Sequence, residues 1–286
     1  MKKFILLLLS LTMFFSLSVP VFAASEPAKE DNTTSFSGET FYYNAETGEM
    51  VAENGEPFEF EEIQFELPMS SDSTNTSVPI ADPIEIYNIR GGLQKTSGGK
   101  FTWWFNVDCP TSPIKKPNIK LTAQVKGNFT NGSSFSNVGS SAYHVYTTNA
   151  EYGVNYTWTT TAKTGYYYLS YTLNDFSSGK TKYKSTDPRL FNRTGYVWNF
   201  TFNAIGKTLT KPRADWKKGA IHSRPSNLAN TYYNTYKSKT GKTLDRSLYD
   251  VHHIQPLAYG GNNNYSNLIH LPKSLHTKVT NWFKGY

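Results

Sequence analysis

The sequence predicts a multidomain, mainly β plus α+β chain. An antiparallel β-sandwich-like middle domain over residues 86–205 is followed by a strand-loop-strand-helix finger within 206–286. Three observations carry this expectation. Apolar residues alternate with period two through the middle, as half-buried strands require because successive side chains point to opposite faces. Near the C-terminus a short apolar run, a Gly-Gly loop and a second run lead into apolar residues at helical spacing. Charge divides the chain: from Ala24 to Glu85 fifteen acids face one base, a net −14, and from Ile86 onward seven acids face 26 bases, a net +19.

At the start, Lys2 and Lys3 precede an apolar run from Phe4 to Leu17, then Pro20 and Val21-Phe22-Ala23-Ala24. A charged segment, a short apolar core and small residues at the −3 and −1 positions describe a secretory signal peptide over residues 1–23. The run is shorter than the ~20 residues of a spanning helix, so the expectation is a secreted, extracellular protein without stable membrane insertion. The sole cysteine, Cys109, excludes an intramolecular disulfide framework and a cysteine-only zinc cluster.

Residues 24–85, rich in Ser, Thr, Asn and Gly as well as acids, read as a disordered or weakly structured acidic leader. Such a leader serves as a solvated linker. Alternatively it folds back on the basic remainder as a polyanion mimic.

In the middle, Ile119, Leu121, Ala123 and Val125 alternate with Lys120, Thr122, Gln124 and Lys126. Tyr166 to Leu173 is a second strand-like run. A third has Tyr196, Trp198, Phe200 and Phe202 alternating with Val197, Asn199, Thr201 and Asn203. Gly91-Gly92, Gly98-Gly99, Asn131-Gly132 and Ser178-Gly179 supply turn chemistry. The surplus Tyr and Trp either fill the core and its cross-strand pairs or form a carbohydrate- or surface-binding face. His144, alone in a strand-like context, reads as no ligand.

Four of the six histidines fall within residues 252–286. Leu248 to Ile254, with Asp250-Val251-His252-His253 inside it, reads as a short strand, and Gly260-Gly261 with Asn262 to Asn264 as a loop. Asn267 to Leu271 reads as a return strand, with Pro272 opening a helix whose Leu275, Val279 and Trp282 or Phe283 share one face. Such a unit brings His252 and His276 together in space. His222 lies outside it.

This passage resembles the HNH nucleases, whose ββα-metal finger includes the bacterial colicin and pyocin DNases and many polymorphic toxin tips. The match is His252-His253, Asn267 and His276, set in an Asp-x-His-His … Gly-Gly … Asn-Leu-Ile … Pro-Lys-x-x-His frame. It covers about 35 residues well and about 75 loosely.

The resemblance implies an endonuclease hydrolysing phosphodiester bonds, in DNA first and with RNA as an alternative. Within it, His252 and His276 resemble the ligands of one divalent metal ion. His253 resembles the general base and Asn267 the residue that braces the hairpin. Asp250 resembles a carboxylate that fixes an imidazole or holds Arg246, itself a candidate phosphate contact.

Where colicin-like members carry a third histidine, this chain has Thr280, which favours labile Mg²⁺ or Mn²⁺, with Ni²⁺ or Zn²⁺ as alternatives. Alternation along its strand sends His270 either toward or away from the helix, leaving it a candidate third ligand.

Lys211, Arg213, Lys217, Lys218 and Arg224 before the finger, and Lys273, Lys278 and Lys284 in or beside the last helix, suit a polyanion bound without sequence preference. Under this reading the acidic leader masks the nucleic-acid site. An antibacterial toxin and an extracellular scavenging nuclease both fit. A toxin would need an immunity protein of acidic character. The rival expectation is a non-catalytic surface- or carbohydrate-binding protein with a degenerate finger.

Overall fold

The computed structural model describes residues 41–44, 49–52, 58–68, 84–110, 117–130, 133–219 and 222–286. The expected signal peptide, residues 1–23, lies outside them, as does the Asn131-Gly132 turn. The described chain is mostly antiparallel β-sheet with two short α-helices.

The first sheet opens with a hairpin of β1 (Phe41–Asn44) and β2 (Glu49–Ala52). The short β3 (Phe58–Glu59) and then β4 (Ile63–Pro68) lie against the long β5 (Ile84–Ser97), which also meets β2 at Lys95. β6 (Lys100–Asp108) returns along β5 through a two-residue turn in which Gly98 and Gly99 both have positive φ. That geometry twists with the strands and admits glycine at no steric cost.

The second sheet is built on β7 (Ile119–Asn128), flanked on one side by β8 (Ser136–Asn137) and β9 (Ala142–Tyr146). β10 (Tyr156–Thr161) crosses back to β6 in the first sheet. β11 (Gly165–Asp175) then pairs with the other side of β7, and β12 (Lys180–Ser185) and β13 (Arg189–Phe191) pair with β11.

The inward positions of both sheets form one core, with Phe65, Ile89, Leu93, Trp103 and Phe105 facing Leu121, Val125, Tyr167, Leu169 and Leu173. Each fully buried side chain of this kind stabilises the fold by about 1.5–3 kcal/mol. Trp103 satisfies its indole N–H on Thr160 Oγ1 at 2.8 Å.

Three expectations are corrected. Within the stretch read as a disordered acidic leader, residues 41–44, 49–52, 58–59 and 63–68 are instead paired strands. Phe65 and Leu67 are buried in the core while Glu66 between them is exposed. Acidity there decorates the solvent side of strands rather than preventing them from forming.

Gly91-Gly92 is not a turn but the interior of β5. A Cβ on Gly92 would collide with the Phe58 carbonyl oxygen, and one on Gly91 with the Tyr171 hydroxyl. These glycines permit close backbone approach.

The alternation at 196–203 does not mark a strand. Val197 makes one bridge to Phe191 and packs in the sandwich core, while Trp198 and Phe200 pack into a second, C-terminal core. Here the period of two serves two cores rather than a sheet ladder.

After the small hairpin of β14 (Asn203–Ala204) and β15 (Lys207–Thr208) comes α1 (Leu228–Thr240), ended by Gly241 at positive φ. β16 (Tyr249–His253) and β17 (Leu268–Pro272) form an antiparallel hairpin, and α2 (Lys273–Lys284) follows directly. Pro272 caps α2 rather than occupying its first turn.

Alternate residues of the hairpin serve the two helices. Ile269 and Leu271 pack with Leu275, Val279, Trp282 and Phe283 of α2, whereas Val251 and Leu268 pack with Leu228, Tyr232 and Tyr236 of α1. Asn192, fully buried, donates to the Trp282 carbonyl at 2.7 Å, and Trp282 Nε1 donates to the Tyr196 carbonyl at 2.9 Å. These bonds join the segment after β13 to the end of α2.

Candidate functional site

The register of the hairpin sets the site. His252 pairs with Ile269 and Asp250 with Leu271, so both take the α2 side, while His253, opposite Leu268, takes the other. On α2, His276 stands one residue past the buried Leu275. Its ring meets that of His252 edge to face, with centroids 5.3 Å apart. Phe283, two turns along the helix, stacks on His252 with ring centres 6.1 Å apart.

The three imidazoles are held differently. His252 is buried and its Nε2 has no hydrogen-bond partner. Burial comes first, with repulsion from His276, His253 and Arg224 after it, and together they push the His252 pKa down to about 3. His276 presents Nδ1 to Asp250 Oδ2 at 3.4 Å; its pKa is lowered by burial, against the raising effect of Asp250. His253 lies 2.9 Å from Asn263 Oδ1 through Nε2, and its pKa is lowered by burial against that bond.

Tautomers follow from these partners. Asn263 donates its amide to the Ser223 carbonyl at 2.9 Å, which turns Oδ1 toward His253. An oxygen accepts, so His253 Nε2 carries the hydrogen and Nδ1 is the basic nitrogen. The Asp250 carboxylate, 3.4 Å from His276 Nδ1, favours the tautomer with the hydrogen on that nitrogen.

Asn267 closes the loop between the strands. Its Oδ1 accepts from Gln255 N at 2.9 Å, its Nδ2 donates to the carbonyls of Gln255 and Asn262 at 2.9 Å, and its own carbonyl accepts from Ile254 N at 2.8 Å. Four bonds from one residue fix the 254–267 loop that carries Asn263. Gly261 lies inside it, where a Cβ would strike the Gln255 carbonyl.

Arg246 goes elsewhere. Its guanidinium donates to Asn230 Oδ1 at 2.7 Å and lies over the Tyr233 ring, against α1. His270 faces away from α2: fully buried, it gives its backbone N–H to the Tyr232 hydroxyl, and its Nδ1 lies within hydrogen-bond distance of the same hydroxyl at 3.0 Å. Of the histidines outside the finger, His222 is exposed and His144 stacks on Tyr156 at 3.9 Å.

Two residues matter that the sequence did not single out by role. Arg224 donates to the Val251 carbonyl at 3.1 Å and lowers the pKa of all three site histidines. Asn263 was one asparagine among three in a polar loop, with no local signal to distinguish it.

The donor set fits a divalent ion in part. Two imidazoles kept neutral by burial, one with an unpartnered buried nitrogen, suit metal ligation. Among the described residues no group of three or more His, Cys, Asp or Glu gathers as a metal cluster.

Comparison of the chain with protein-family models, with curated proteins and with solved structures finds no match. No helix among the described residues is long and apolar enough to cross a membrane.

Proposed function

We propose that residues 206–286 form an HNH-type, metal-dependent endonuclease that hydrolyses phosphodiester bonds with little sequence preference. The observation that carries this reading is the pairing of His252 with His276 across the hairpin-helix junction, with His253, the next residue of β16, oriented by Asn263. The order and spacing of these residues in the sequence supply the resemblance, and the acceptors beside His253 and His276 support one tautomer for each.

His252 and His276 would hold the divalent ion, Mg²⁺ or Mn²⁺ before Ni²⁺ or Zn²⁺. When bound, the ion supplies Lewis-acid stabilisation of charge on the phosphate and on the departing oxygen. His253 takes a proton from the attacking water at Nδ1, because Nε2 is committed to Asn263. Asn267 holds the loop that carries Asn263, the partner of His253. Arg224, fixed to the Val251 carbonyl, presents positive charge beside the three rings and disfavours their protonation. DNA is the first substrate class in this reading and RNA the second.

In this reading the N-terminal 23 residues direct secretion. The protein would act outside the cell, as an antibacterial toxin guarded by an acidic immunity protein or as a scavenging nuclease.

Cleavage of supercoiled plasmid by the purified chain, with Mg²⁺, Mn²⁺, Ni²⁺, Zn²⁺ or EDTA, tests the reading. Nicking that needs a metal and disappears in His253→Ala is expected. No cleavage of DNA or RNA with any of these ions would sink it and leave the non-catalytic surface-binding reading.

A further inference from the structure

The second sheet of the sandwich has an outward face that the nuclease reading does not use. Cross-strand register aligns Tyr183 of β12, Thr172 of β11, Thr122 of β7 and Tyr143 of β9 in one row on that face. At the ~4.8 Å spacing of neighbouring strands the two tyrosines stand about 14 Å apart. Both are well exposed, Tyr183 at 73% and Tyr143 at 62%. In the next row stands Lys120, with its ammonium 4.2 Å from the Tyr143 ring centre; two rows away on the other side stands Lys126, beside Tyr168 and donating to Asn137 Oδ1 at 2.6 Å.

Charge on these strands is one-sided. Across residues 117–146 and 165–185 there are five lysines and a single acid, Asp175; Lys120 and Lys126 take the outward side, whereas Lys182 and Lys184, on the other register, donate to the carbonyls of Glu66 and Gln64. Asp175 is buried, and its Oδ1 accepts from the Ser177 backbone N–H at 2.9 Å. The outward positions of β7 and β11, from Lys120 to Lys126 and from Tyr168 to Asn174, carry lysine, hydroxyl, amide and aromatic groups only. An exposed aromatic pair on a sheet with interleaved lysines and no carboxylate complements a chain of stacked planar bases with a negative backbone.

We infer that this face, centred on Tyr143, Tyr183, Lys120 and Lys126, binds single-stranded nucleic acid. The rings stack on bases and the ammonium groups neutralise phosphates, so binding is independent of sequence and falls with salt. The inference goes beyond the nuclease reading, because binding here needs neither a metal nor the histidines.

The experiment is fluorescence anisotropy in EDTA, with the full chain and a labelled oligothymidylate, a labelled duplex of equal length, or labelled polygalacturonate as a phosphate-free polyanion. Tyr143→Ala/Tyr183→Ala should weaken oligothymidylate binding about tenfold or more, the loss that removing stacking rings brings. Tyr143→Phe/Tyr183→Phe keeps the rings and should keep the affinity, and duplex binding should not change in either variant. Lys120→Gln/Lys126→Gln should weaken binding and flatten its salt dependence, which guards against a folding defect in the Ala pair. His253→Ala should bind like the parent, so loss of nicking and loss of this surface are read separately. The inference is overturned if oligothymidylate is not bound, or if the Ala pair binds it as the parent does. Tighter binding of polygalacturonate with the same dependence on Tyr143 and Tyr183 would overturn it in favour of an anionic-glycan surface.

Discussion

Asn263 Oδ1 lies 2.9 Å from Nε2 of His253, and Asn263 is itself held by the Ser223 carbonyl on its amide side. One amide therefore decides which ring nitrogen of the histidine is basic. The chain reaches this arrangement because Asn267 pins the loop on which Asn263 sits.

Removing that amide should misorient the base without unfolding the hairpin, since Asn263 is only partly buried. Asn263→Ala is expected to slow metal-dependent nicking by up to about 100-fold, the scale of a small misplacement of a reacting group. Asn263→Asp keeps an accepting oxygen and should retain more of the rate. Single-turnover cleavage of both variants checks this; equal rates in Asn263→Ala and the parent would remove Asn263 from the argument.

Asp250 makes a different demand, because it touches a ligand candidate rather than the base. Losing the carboxylate beside His276 should weaken metal binding by about 10–100-fold, as outer partners of ligating histidines do. Titration calorimetry of Asp250→Asn with Mn²⁺ measures this directly, without reference to cleavage. Unchanged affinity would show that the 3.4 Å contact does not orient His276.

The finger was legible in the sequence because its signals are local: two adjacent histidines, a Gly-Gly loop, a proline before the helix, and Leu275 and Val279 at helical spacing. β7 was legible for the same reason, since its alternation runs unbroken from Ile119 to Val125. What was not legible depends on residues distant in sequence. Gly91 and Gly92 look like a turn locally, yet their use is set by Phe58 and Tyr171, which approach from other strands. Arg224 and Asn263 acquire their roles only when the chain folds them against the hairpin. His270 was undecided until the register put it opposite Val251, on the α1 side.

The acidic stretch gives the third prediction. Phe65–Glu66–Leu67 alternates like any half-buried strand, but the surrounding glutamates masked the pattern. Phe65 is fully buried, so Phe65→Ala should destabilise the fold by about 3–5 kcal/mol in urea unfolding. Deleting residues 24–80 removes β4 as well. It should cost cooperative folding rather than simply unmask a nucleic-acid site, and a deletion variant that melts like the parent would contradict the placement of β4 in the core.

The last prediction concerns Lys207, which holds the turn entering β17. Its ammonium donates to the carbonyls of Tyr265 and Leu268 and sits 3.3 Å from the centre of the Tyr265 ring. Burial, then repulsion from Lys239, pushes its pKa down to about 8 from an ordinary value of 10.5. Between those values the unfolded chain holds a proton that the folded chain has released, so stability rises with pH across that window. Above about pH 10 the tyrosines oppose this, because buried hydroxyls such as that of Tyr232 stay protonated while those of the unfolded chain ionise. The gain should therefore show between pH 8 and about pH 10 as a rising urea midpoint. Lys207→Met lacks the titrating group and should lose that rise. Parallel pH curves for the two proteins would mean that the Lys207 ammonium stays charged in its cage of carbonyls and rings.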